Sequence, residues 1–243
     1  MTLFYAPDVA ANPFLPEEES QHAIRVLRLA QGGEITVTDG KGALYRCMIV
    51  DPHPKRCEVT VVARWQAERP RRFSIHVAVA PTKSMERMEW FAEKATETGI
   101  DAITCLECRF SERREIKTAR LAKILVSAIK QSGQARLPDL NGMTDFRTFV
   151  GRPRDGMKFI ACCEADPQTQ LLQHLYRSGA DATILIGPEG DFSKDETTFA
   201  LQHGFIPVSL GASRLRTETA ALAACLTIHV ADSLAEKQTA PVH

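Results

Sequence analysis

Residues 209–220 carry more polar chemistry than the start of a helix needs. They read SLGASRLRTETA, follow an apolar segment and lead into an Ala-rich run. Thr217 or Thr219 could cap the helix, because a threonine at an N-cap accepts a hydrogen bond from a free backbone N–H. Three charged residues are left without a role in capping: Arg214, Arg216 and Glu218. Charged side chains are seldom buried unless they are paired. The cluster therefore favours a polar ligand site over a salt-bridged corner.

A second loop with ligand-binding character is GPEGDFS, at residues 187–193. Its glycines flank Pro188 and Glu189, and glycine lets a backbone approach a ligand closely. A third polar loop, CCEAD, covers residues 162–166. Each loop follows a predicted strand, and ligands of parallel sheets collect beyond the carboxyl ends of the strands, so we expect the three loops to converge. The chain contains neither GxGxxG nor GxxxxGK[ST], which argues against a dinucleotide-binding site and a P-loop.

Positive charge is concentrated between residues 109 and 136. Eight basic and two acidic residues give this stretch a net charge of +6, in a chain whose formal net charge is zero. The basic residues are Arg109, Arg113, Arg114, Lys117, Arg120, Lys123, Lys130 and Arg136. Such a stretch favours an anionic partner, and phosphate contacts are the commonest reason for it. On an N-terminal helix, His22, Arg25 and Arg28 follow at i, i+3 and i+6 and could form a second basic strip.

The elements that position these residues fall into two predicted domains, 1–70 and 71–243. A short helical piece around residues 20–29 precedes three β-branched runs separated by turn residues, which is typical of a small β-barrel. The runs are 34–38, 43–50 and 57–63. The charged segment 64–72 contains a proline and is the predicted boundary.

From residue 73 onward, strands alternate with helices. The predicted strands are 74–80, 102–106, 157–163, 182–186 and 205–210. Apolar residues at helical spacing fill the intervals, Gly99 and Gly133 end two helices, and Ser193 with Glu196 forms a capping box for a third. The last helix carries Leu222, Cys225, Leu226 and Val230. This alternation predicts an α/β domain with a mostly parallel sheet and helices on both faces.

Composition narrows the function classes further. The chain is 44% apolar and 25% charged, as in ordinary globular proteins. Its N-terminus lacks a signal peptide and no apolar run is long enough to cross a bilayer, so we expect a cytoplasmic protein with no membrane contact. Seven cysteines, an odd number, favour reduced thiols. Cys105 and Cys108 have metal-ligand spacing but lack a second pair, so we expect buried thiols and no metal.

Five segments together resemble the RsmE-like family, SPOUT-class methyltransferases that modify uridine at N3 in 16S ribosomal RNA. The segments are HAIRVLR at 22–28, KSMERMEWFAEKATETGI at 83–100, KQSGQARLP at 130–138, LIGPEGDFS at 185–193 and LGASRLRTETAA at 210–221. The resemblance covers nearly the whole chain, and the last two segments are the most specific. The chain departs from the family pattern at Thr98, at Asp191, where glycine is common, and at Ser213 and Arg214, where Arg-Ile is usual.

The resemblance implies an N-terminal PUA-like β-barrel, a C-terminal SPOUT domain with a trefoil knot, and a homodimer with the active site near the subunit interface. It also implies S-adenosyl-L-methionine as methyl donor, and 16S rRNA or the small ribosomal subunit as partner. The expected donor-binding residues are Ile186, Gly187, Glu189, Gly190, Leu210, Gly211, Leu215, Thr217 and Thr219.

Methylation at N3 requires removal of an imide proton or stabilisation of the resulting anion. Arg216 or Arg136 is the expected stabiliser of negative charge on a uracil carbonyl oxygen, with Glu218 orienting that arginine or accepting the proton. The expected RNA-binding residues are His22, Arg25, Arg28, Arg109, Arg113, Arg114 and Lys130. Two alternatives stay open: a SPOUT methyltransferase acting on a ribose 2′-hydroxyl or on tRNA, and a non-catalytic RNA-binding relative.

Overall fold

The computed structural model describes residues 2–69, 71–162 and 169–239, with the backbone alone for 236–239. The chain forms two compact units. The first comprises the chain up to residue 70 together with Leu125–Leu137, and the second comprises Arg71–Ile124 and the chain from Pro138 onward. The domains predicted from the sequence, 1–70 and 71–243, place Leu125–Leu137 in the second domain instead. Helical periodicity identifies the apolar face of a segment but not the unit against which that face packs.

The first unit is built on a four-stranded sheet. Its strands are β1 (Leu3–Tyr5), β2 (Glu34–Thr38), β3 (Ala43–Asp51) and β4 (Glu58–Gln66), in the order β1-β2-β3-β4. The β1–β2 pair is parallel and the other two pairs are antiparallel. The three predicted strands are confirmed, although β4 continues to Gln66, into the segment predicted as the boundary. Inward side chains at alternate strand positions form the core of this unit, including Val37, Cys47 and Val59.

A short helix and the Leu125–Leu137 segment complete this unit. Helix α1 (Glu17–Gln21) changes at His22 into a π-helical turn that ends at Val26. The Lys130 ammonium lies 2.6 Å from a carboxylate oxygen of Glu19, which is buried. The Thr38 hydroxyl donates to the Ala135 carbonyl oxygen at 2.9 Å. The segment is thus bound to the unit by polar contacts in addition to apolar packing.

The second unit contains a six-stranded parallel sheet in the order β10-β8-β9-β5-β6-β7. Its strands are β5 (Ile75–Val79), β6 (Ala102–Glu107), β7 (Asp139–Asp145), β8 (Met157–Ala161), β9 (Ala182–Ile186) and β10 (Ile206–Val208). The helices after β5 are α2 (Met85–Thr98), α3 (Thr118–Ser132), α4 (Phe146–Gly151), α5 (Leu172–Leu175), α6 (Lys194–Gln202) and α7 (Thr217–Thr239). The part of α3 from Leu125 onward belongs to the first unit. Every strand pair is parallel, which confirms the predicted α/β class. No helix within the described residues is long and apolar enough to span a membrane.

Helices cover both faces of this sheet. Alternate strand residues pack on α4 and α6, as Ala78, Leu106 and Leu185 do, while their sequence neighbours are buried on the opposite face. Helix α7 packs against α2 and α5. Because successive side chains of a strand point to opposite faces, burial of both sets requires two covering layers. This explains why the central strands read as continuous apolar runs.

Strand β7 and helix α4 were not predicted from the sequence. The β7 sequence, DLNGMTD, is polar and contains a glycine, both of which are unusual in strands. It forms one edge of the sheet and pairs with β6 alone. An edge strand is less enclosed than a central strand, so its residues can be polar. Helix α4 has six residues, too few to show a helical period.

Two predicted helix boundaries are confirmed in detail. Gly99 ends α2 in the left-handed conformation, with φ of 96°, which glycine adopts without steric cost. At α6, Ser193 and Glu196 form the reciprocal capping box: the Ser193 hydroxyl accepts from the Glu196 N–H, and the Glu196 carboxylate accepts from the Ser193 N–H. The capping box fixes the point where the chain leaves the 187–193 loop.

His76 is a half-buried polar residue on the β5 face that packs against α4. Its Nε2 lies 2.8 Å from the Thr104 hydroxyl oxygen, which also accepts from the Asn141 amide at 3.0 Å. The ring stands edge-on to Phe149, with ring centroids 5.3 Å apart. Burial, and then repulsion from Arg154, lowers the pKa of His76 to about 4. The folded protein therefore holds this imidazole neutral.

This lowered pKa predicts a loss of stability in mild acid. As pH falls from about 6.5 toward 4, the unfolded chain takes up a proton at His76 that the folded chain does not. The contribution is fully present above about pH 6.5, and its loss amounts to roughly 3 kcal/mol at most. Urea unfolding at several pH values should show a flatter pH dependence for His76→Gln than for the unmodified chain. Equal slopes for the two proteins would contradict this assignment.

Candidate functional site

A cavity of about 830 Å³ lies at the carboxyl ends of β8, β9 and β10, three strands that are neighbours in the sheet. Its walls are the loops that follow β9 and β10, with Arg87 of α2 and residues Ala161 and Cys162 at the end of β8. The predicted convergence is confirmed for these two loops. Of the 162–166 loop, the part beyond Cys162 lies outside the described residues.

The loop after β9 is a tight turn. The Asp191 N–H donates to the Pro188 carbonyl oxygen at 2.9 Å, which closes the turn. A Cβ added to Gly187 would lie 3.2 Å from the Phe192 ring, so the backbone runs close to this side chain. Asp191 has a φ of 63°, a left-handed conformation that favours glycine. Its carboxylate accepts from the Phe192 N–H at 2.8 Å, a local bond that helps aspartate tolerate this conformation.

The loop after β10 is fixed to the first loop by one side chain. The Thr217 hydroxyl, which is buried, donates to the Gly187 carbonyl oxygen at 3.1 Å. This hydroxyl therefore links the two loops. At the start of the loop, the Ser209 hydroxyl oxygen accepts from the Gly211 N–H at 3.2 Å. Gly211 has a φ of 126°, which side-chain-bearing residues rarely adopt, so this turn depends on glycine.

Glu218 places a carboxylate in the cavity wall. Only 6% of the residue is exposed, and its Oε2 is buried without a hydrogen-bond partner among the described residues. Its Oε1 lies 3.8 Å from Nε of Arg87, a long ion pair in which the arginine is the more exposed partner. An unpaired buried carboxylate oxygen is costly. The position thus has the character of a ligand-binding group. Nothing in the sequence spacing indicated that Arg87 would meet Glu218.

Most of the residues expected to bind the donor lie together around the cavity. Those that line it are Ile186, Gly187, Glu189, Gly190, Leu210, Gly211, Leu215 and Thr217. Arg216 and Glu218 line it as well, with Arg216 on the exposed side. Thr219 is exposed in the first turn of α7 and is not among the lining residues.

Arg136, the third predicted catalytic residue, belongs to the first unit. Its guanidinium carbon would lie 2.7 Å from a Cβ added to Gly42. Gly42 has a φ of 105°, so glycine both permits the turn and makes room for the arginine. Within its own unit, Arg136 thus packs against the β2–β3 turn.

The basic residues of the second unit differ in how they use their charge. Arg109 is exposed, with its guanidinium 5.9 Å from the centroid of the Phe110 ring. Arg114 is 67% exposed at its side chain and forms a surface ion pair with Glu107 at 3.1 Å. Arg113 instead directs its guanidinium at the carbonyl oxygens of Thr82 and Lys83.

The predicted N-terminal basic strip does not form as spaced. The i, i+3, i+6 pattern assumes one continuous α-helix, whereas the helix widens to a π-helical turn at His22 and ends at Val26. Arg28 lies beyond that end with a φ of 55°. His22 packs against Phe4, with ring centroids 5.9 Å apart, while Arg25 and Arg28 are exposed.

Cys105 and Cys108 are buried thiols. Burial raises the pKa of Cys105 to about 12, and burial, with nearby carboxylates such as Glu196 adding to it, raises that of Cys108 further. A neutral thiol is a poor metal ligand and a poor nucleophile. Within the part of the chain that the structure describes, no group of three or more His, Cys, Asp or Glu side chains could hold a metal ion.

Comparison with known protein families finds two family models that match this chain. Residues 69–229 match the model of an RNA methyltransferase domain, and residues 15–62 match that of an RNA methyltransferase PUA domain. The chain belongs to the RNA methyltransferase family. The cavity lies entirely within the part of this RNA methyltransferase that matches the catalytic-domain model.

Individual relatives agree with this assignment. A crystal structure titled as a probable rRNA-methyltransferase from Porphyromonas gingivalis is 42% identical, with a TM-score of 0.92 over 97% of this chain and 100% of that one. A ribosomal RNA small subunit methyltransferase E from Neisseria gonorrhoeae, bound to S-adenosyl methionine, is 27% identical, with a TM-score of 0.82 over 95% and 97%. The protein of the same name from Mycobacterium bovis is 29% identical over 95% of this chain and 92% of its own length.

The conformation of Asp191 yields a test of the loop after β9. Asp191→Gly should change the free energy of unfolding by less than about 1 kcal/mol, because glycine relieves the left-handed strain but adds freedom to the unfolded chain. Asp191→Val should lower it by about 1–2 kcal/mol, because a β-branched residue is an outlier at positive φ. Urea denaturation measures both, with Asp191→Asn as the matched control that tolerates this conformation. A valine variant as stable as the asparagine variant would show that the loop adopts another conformation.

Proposed function

We propose that this RNA methyltransferase transfers a methyl group from S-adenosyl-L-methionine to N3 of a uridine in 16S ribosomal RNA. The observation that carries the proposal is the cavity at the ends of β8, β9 and β10. Two glycine-containing loops, joined by the Thr217–Gly187 hydrogen bond, wall this cavity, and a buried carboxylate faces it. The names of the relatives supply the substrate class, and the resemblance of the two loops to the RsmE-like pattern supplies the position on the base.

The cavity residues fit the methyl donor chemically. Its volume, about 830 Å³, lies within the range of pockets for ligands of this size. Ile186, Leu210 and Leu215 offer apolar contact for a purine, and the backbone at Gly187 and Gly211 can approach a ligand without side-chain obstruction. The Glu218 carboxylate, whose Oε2 has no partner among the described residues, suits a cation or an N–H donor. Bound S-adenosyl-L-methionine supplies an activated methyl group on a sulfonium.

The reaction requires the chain to remove a proton and to stabilise an anion. The Glu218 carboxylate accepts the N3 proton of the uracil, which leaves a negative charge delocalised over N3 and the carbonyl oxygens. The N3–CH₃ bond then forms as the S–CH₃ bond breaks. Arg216, which is exposed and lines the cavity two residues before Glu218, stabilises the charge on a carbonyl oxygen.

Arg87 takes part by holding Glu218. Its Nε lies 3.8 Å from Glu218 Oε1, which restrains the carboxylate on the side of the cavity wall that Arg87 also lines. Arg136 belongs to the first unit and is assigned no step in this scheme. We retain it as a phosphate-binding residue.

Exposed basic residues bind the RNA. In the second unit these are Arg109 and Arg114, and in the first unit Arg25 and Arg28, all with exposed side chains. His22 and Lys130 are more enclosed, since His22 packs on Phe4 and Lys130 pairs with Glu19. Contacts with phosphates make binding strongly dependent on salt concentration. The target base reaches the cavity either flipped out of a helix or already unpaired.

The active enzyme is a homodimer in this proposal. Helix α7 exposes Leu226, Val230 and Leu234, with 41%, 57% and 57% of these residues accessible. Spaced at i, i+4 and i+8, they form an apolar stripe on one face of the helix. The buried face of the same helix carries Ala221, Ala224, Cys225 and Ile228, which are fully covered. A second copy of the chain would cover this stripe. The resemblance to the RsmE-like family also implies a trefoil knot, and this stays a prediction.

The first test identifies the product. Purified protein should be incubated with labelled S-adenosyl-L-methionine and small ribosomal subunits from cells that lack it, and the nucleosides analysed by mass spectrometry. We expect 3-methyluridine. A 2′-O-methylated nucleoside, or methylation of tRNA alone, would keep the enzyme class and reject the substrate. Donor binding without any methylated product would reject the activity and favour an RNA-binding protein.

The role of Glu218 is tested by Glu218→Gln. This variant keeps the shape of the side chain but cannot accept the proton, so we expect kcat to fall by roughly 10²–10⁴-fold. Donor affinity, measured by calorimetry, should change much less. Asp195→Asn is the control, because it neutralises an exposed carboxylate in the first turn of α6. An undiminished kcat in Glu218→Gln would exclude Glu218 as the base.

A further inference from the structure

Residues 108–114, which follow β6, are bound to the loop after β9 through a buried carboxylate. Glu196, with 7% of its surface exposed, accepts the Arg109 N–H on Oε1 at 2.8 Å. Its Oε2 accepts both the Ser193 N–H and the Ser193 hydroxyl, each at 2.8 Å. The residue that caps α6 thus also holds the backbone of the 108–114 segment. Both carboxylate oxygens are used, and neither is free for a ligand.

A second connection runs through Arg113. Its Nε donates to the Thr82 carbonyl oxygen at 3.0 Å, and its terminal nitrogen donates to the Lys83 carbonyl oxygen. The Lys83 N–H in turn donates to Glu189 Oε1 at 3.1 Å. Glu189 lies in the loop after β9 and lines the cavity. Arg113 therefore fixes the β5–α2 turn, and that turn fixes Glu189.

A third contact is steric. A Cβ added to Gly190 would lie 3.2 Å from Cβ of Phe110, so the 108–114 segment forms a wall against the cavity loop at this point. Hydrogen bonds at both ends of the loop and this contact in its middle leave the loop few alternative positions. The side chains of Arg109, Phe110 and Arg114 in the same segment are exposed.

We infer that Arg113 is a positioning residue for the donor-binding loop, and not a contact for RNA as its place in the basic stretch predicted. The inference rests on the proposed function, because it assumes that the loop after β9 binds the methyl donor. Arg113 acts through the Thr82 and Lys83 carbonyl groups on Glu189. The 108–114 segment then has two sides. Arg113 and the backbone hold the donor loop, while Arg109 and Arg114 offer their charge to the RNA.

Arginine is suited to this role because its planar guanidinium presents donors in a fixed fork. Two carbonyl oxygens of neighbouring residues can be bound at once, whereas the lysine ammonium acts as a point charge. Removing the guanidinium leaves two carbonyl groups without this donor and frees the turn that orients Glu189. Tenfold weaker donor binding corresponds to about 1.4 kcal/mol, the scale of one or two such hydrogen bonds.

The experiment measures donor affinity and RNA affinity separately on the full chain. For Arg113→Ala we expect the Kd for S-adenosyl-L-methionine, by calorimetry, to rise about tenfold or more. The affinity for a 16S rRNA fragment, measured without donor, should stay within about twofold of the unmodified protein. Arg113→Lys should lie between the two in donor affinity, because it keeps the charge but not the fork. In turnover assays the KM for the donor should rise more than kcat falls.

Two further variants separate this role from a general loss of stability. Arg147→Ala removes an exposed arginine of the same unit, whose guanidinium carbon lies 4.6 Å from the centroid of the Phe199 ring. This variant should leave donor affinity unchanged. Arg114→Ala should weaken RNA binding and its salt dependence with little effect on the donor. Thermal unfolding of every variant identifies any that fail to fold, and Arg113→Lys then decides the question.

Each outcome bears on one proposal. Unchanged donor affinity in both Arg113 variants would overturn the positioning role. Loss of RNA affinity alone would return Arg113 to the RNA-binding residues. If the unmodified protein itself fails to bind S-adenosyl-L-methionine, the proposed function fails, irrespective of Arg113.

Discussion

The hydrogen bond from the Thr217 hydroxyl to the Gly187 carbonyl oxygen joins the two loops on which the site depends. One loop leaves β9 and the other leads from β10 into α7, and the cavity exists only while they face each other. Because Glu218 follows Thr217 directly, the bond also sets where α7 begins and how the carboxylate enters the cavity wall. The Glu218 carboxylate is thus positioned by a hydrogen bond between its neighbour Thr217 and the backbone of the loop after β9.

The core of the fold could be predicted from the sequence, because a strand that is buried on both faces is apolar at nearly every position. Strands such as β5 and β9 read as unbroken apolar runs, and the capping box at Ser193 marks the start of α6. Strand β7 escaped prediction because an edge strand can be polar. Helix α7 was recognised, but Leu226 and Val230 of its apolar residues are exposed, because an apolar pattern does not show which positions pack against α2 and the sheet.

The site was predictable as a set of loops and less so as a set of contacts. Glycine, proline and charged residues mark the loops after β9 and β10 in the sequence, and this can be seen without knowing which residues they contact. Contacts between residues distant in sequence leave no comparable mark, so the pairing of Arg87 with Glu218 and the use of Arg113 on two carbonyl groups became visible only in the folded chain. Spacing also misled at His22, because the i, i+3, i+6 argument holds only for a regular α-helix.

Glu218 Oε2, which has no hydrogen-bond partner in the part of the chain that the structure describes, affects the energetics of the protein as a whole. In the ligand-free protein, a desolvated acceptor with nothing to accept lowers the free energy difference between the folded and unfolded states. Any ligand that supplies a donor to this atom removes that deficit, and part of its binding affinity comes from doing so. Stability and affinity are therefore linked at one atom, and improving the first by filling its hydrogen-bonding capacity from within the protein would weaken the second.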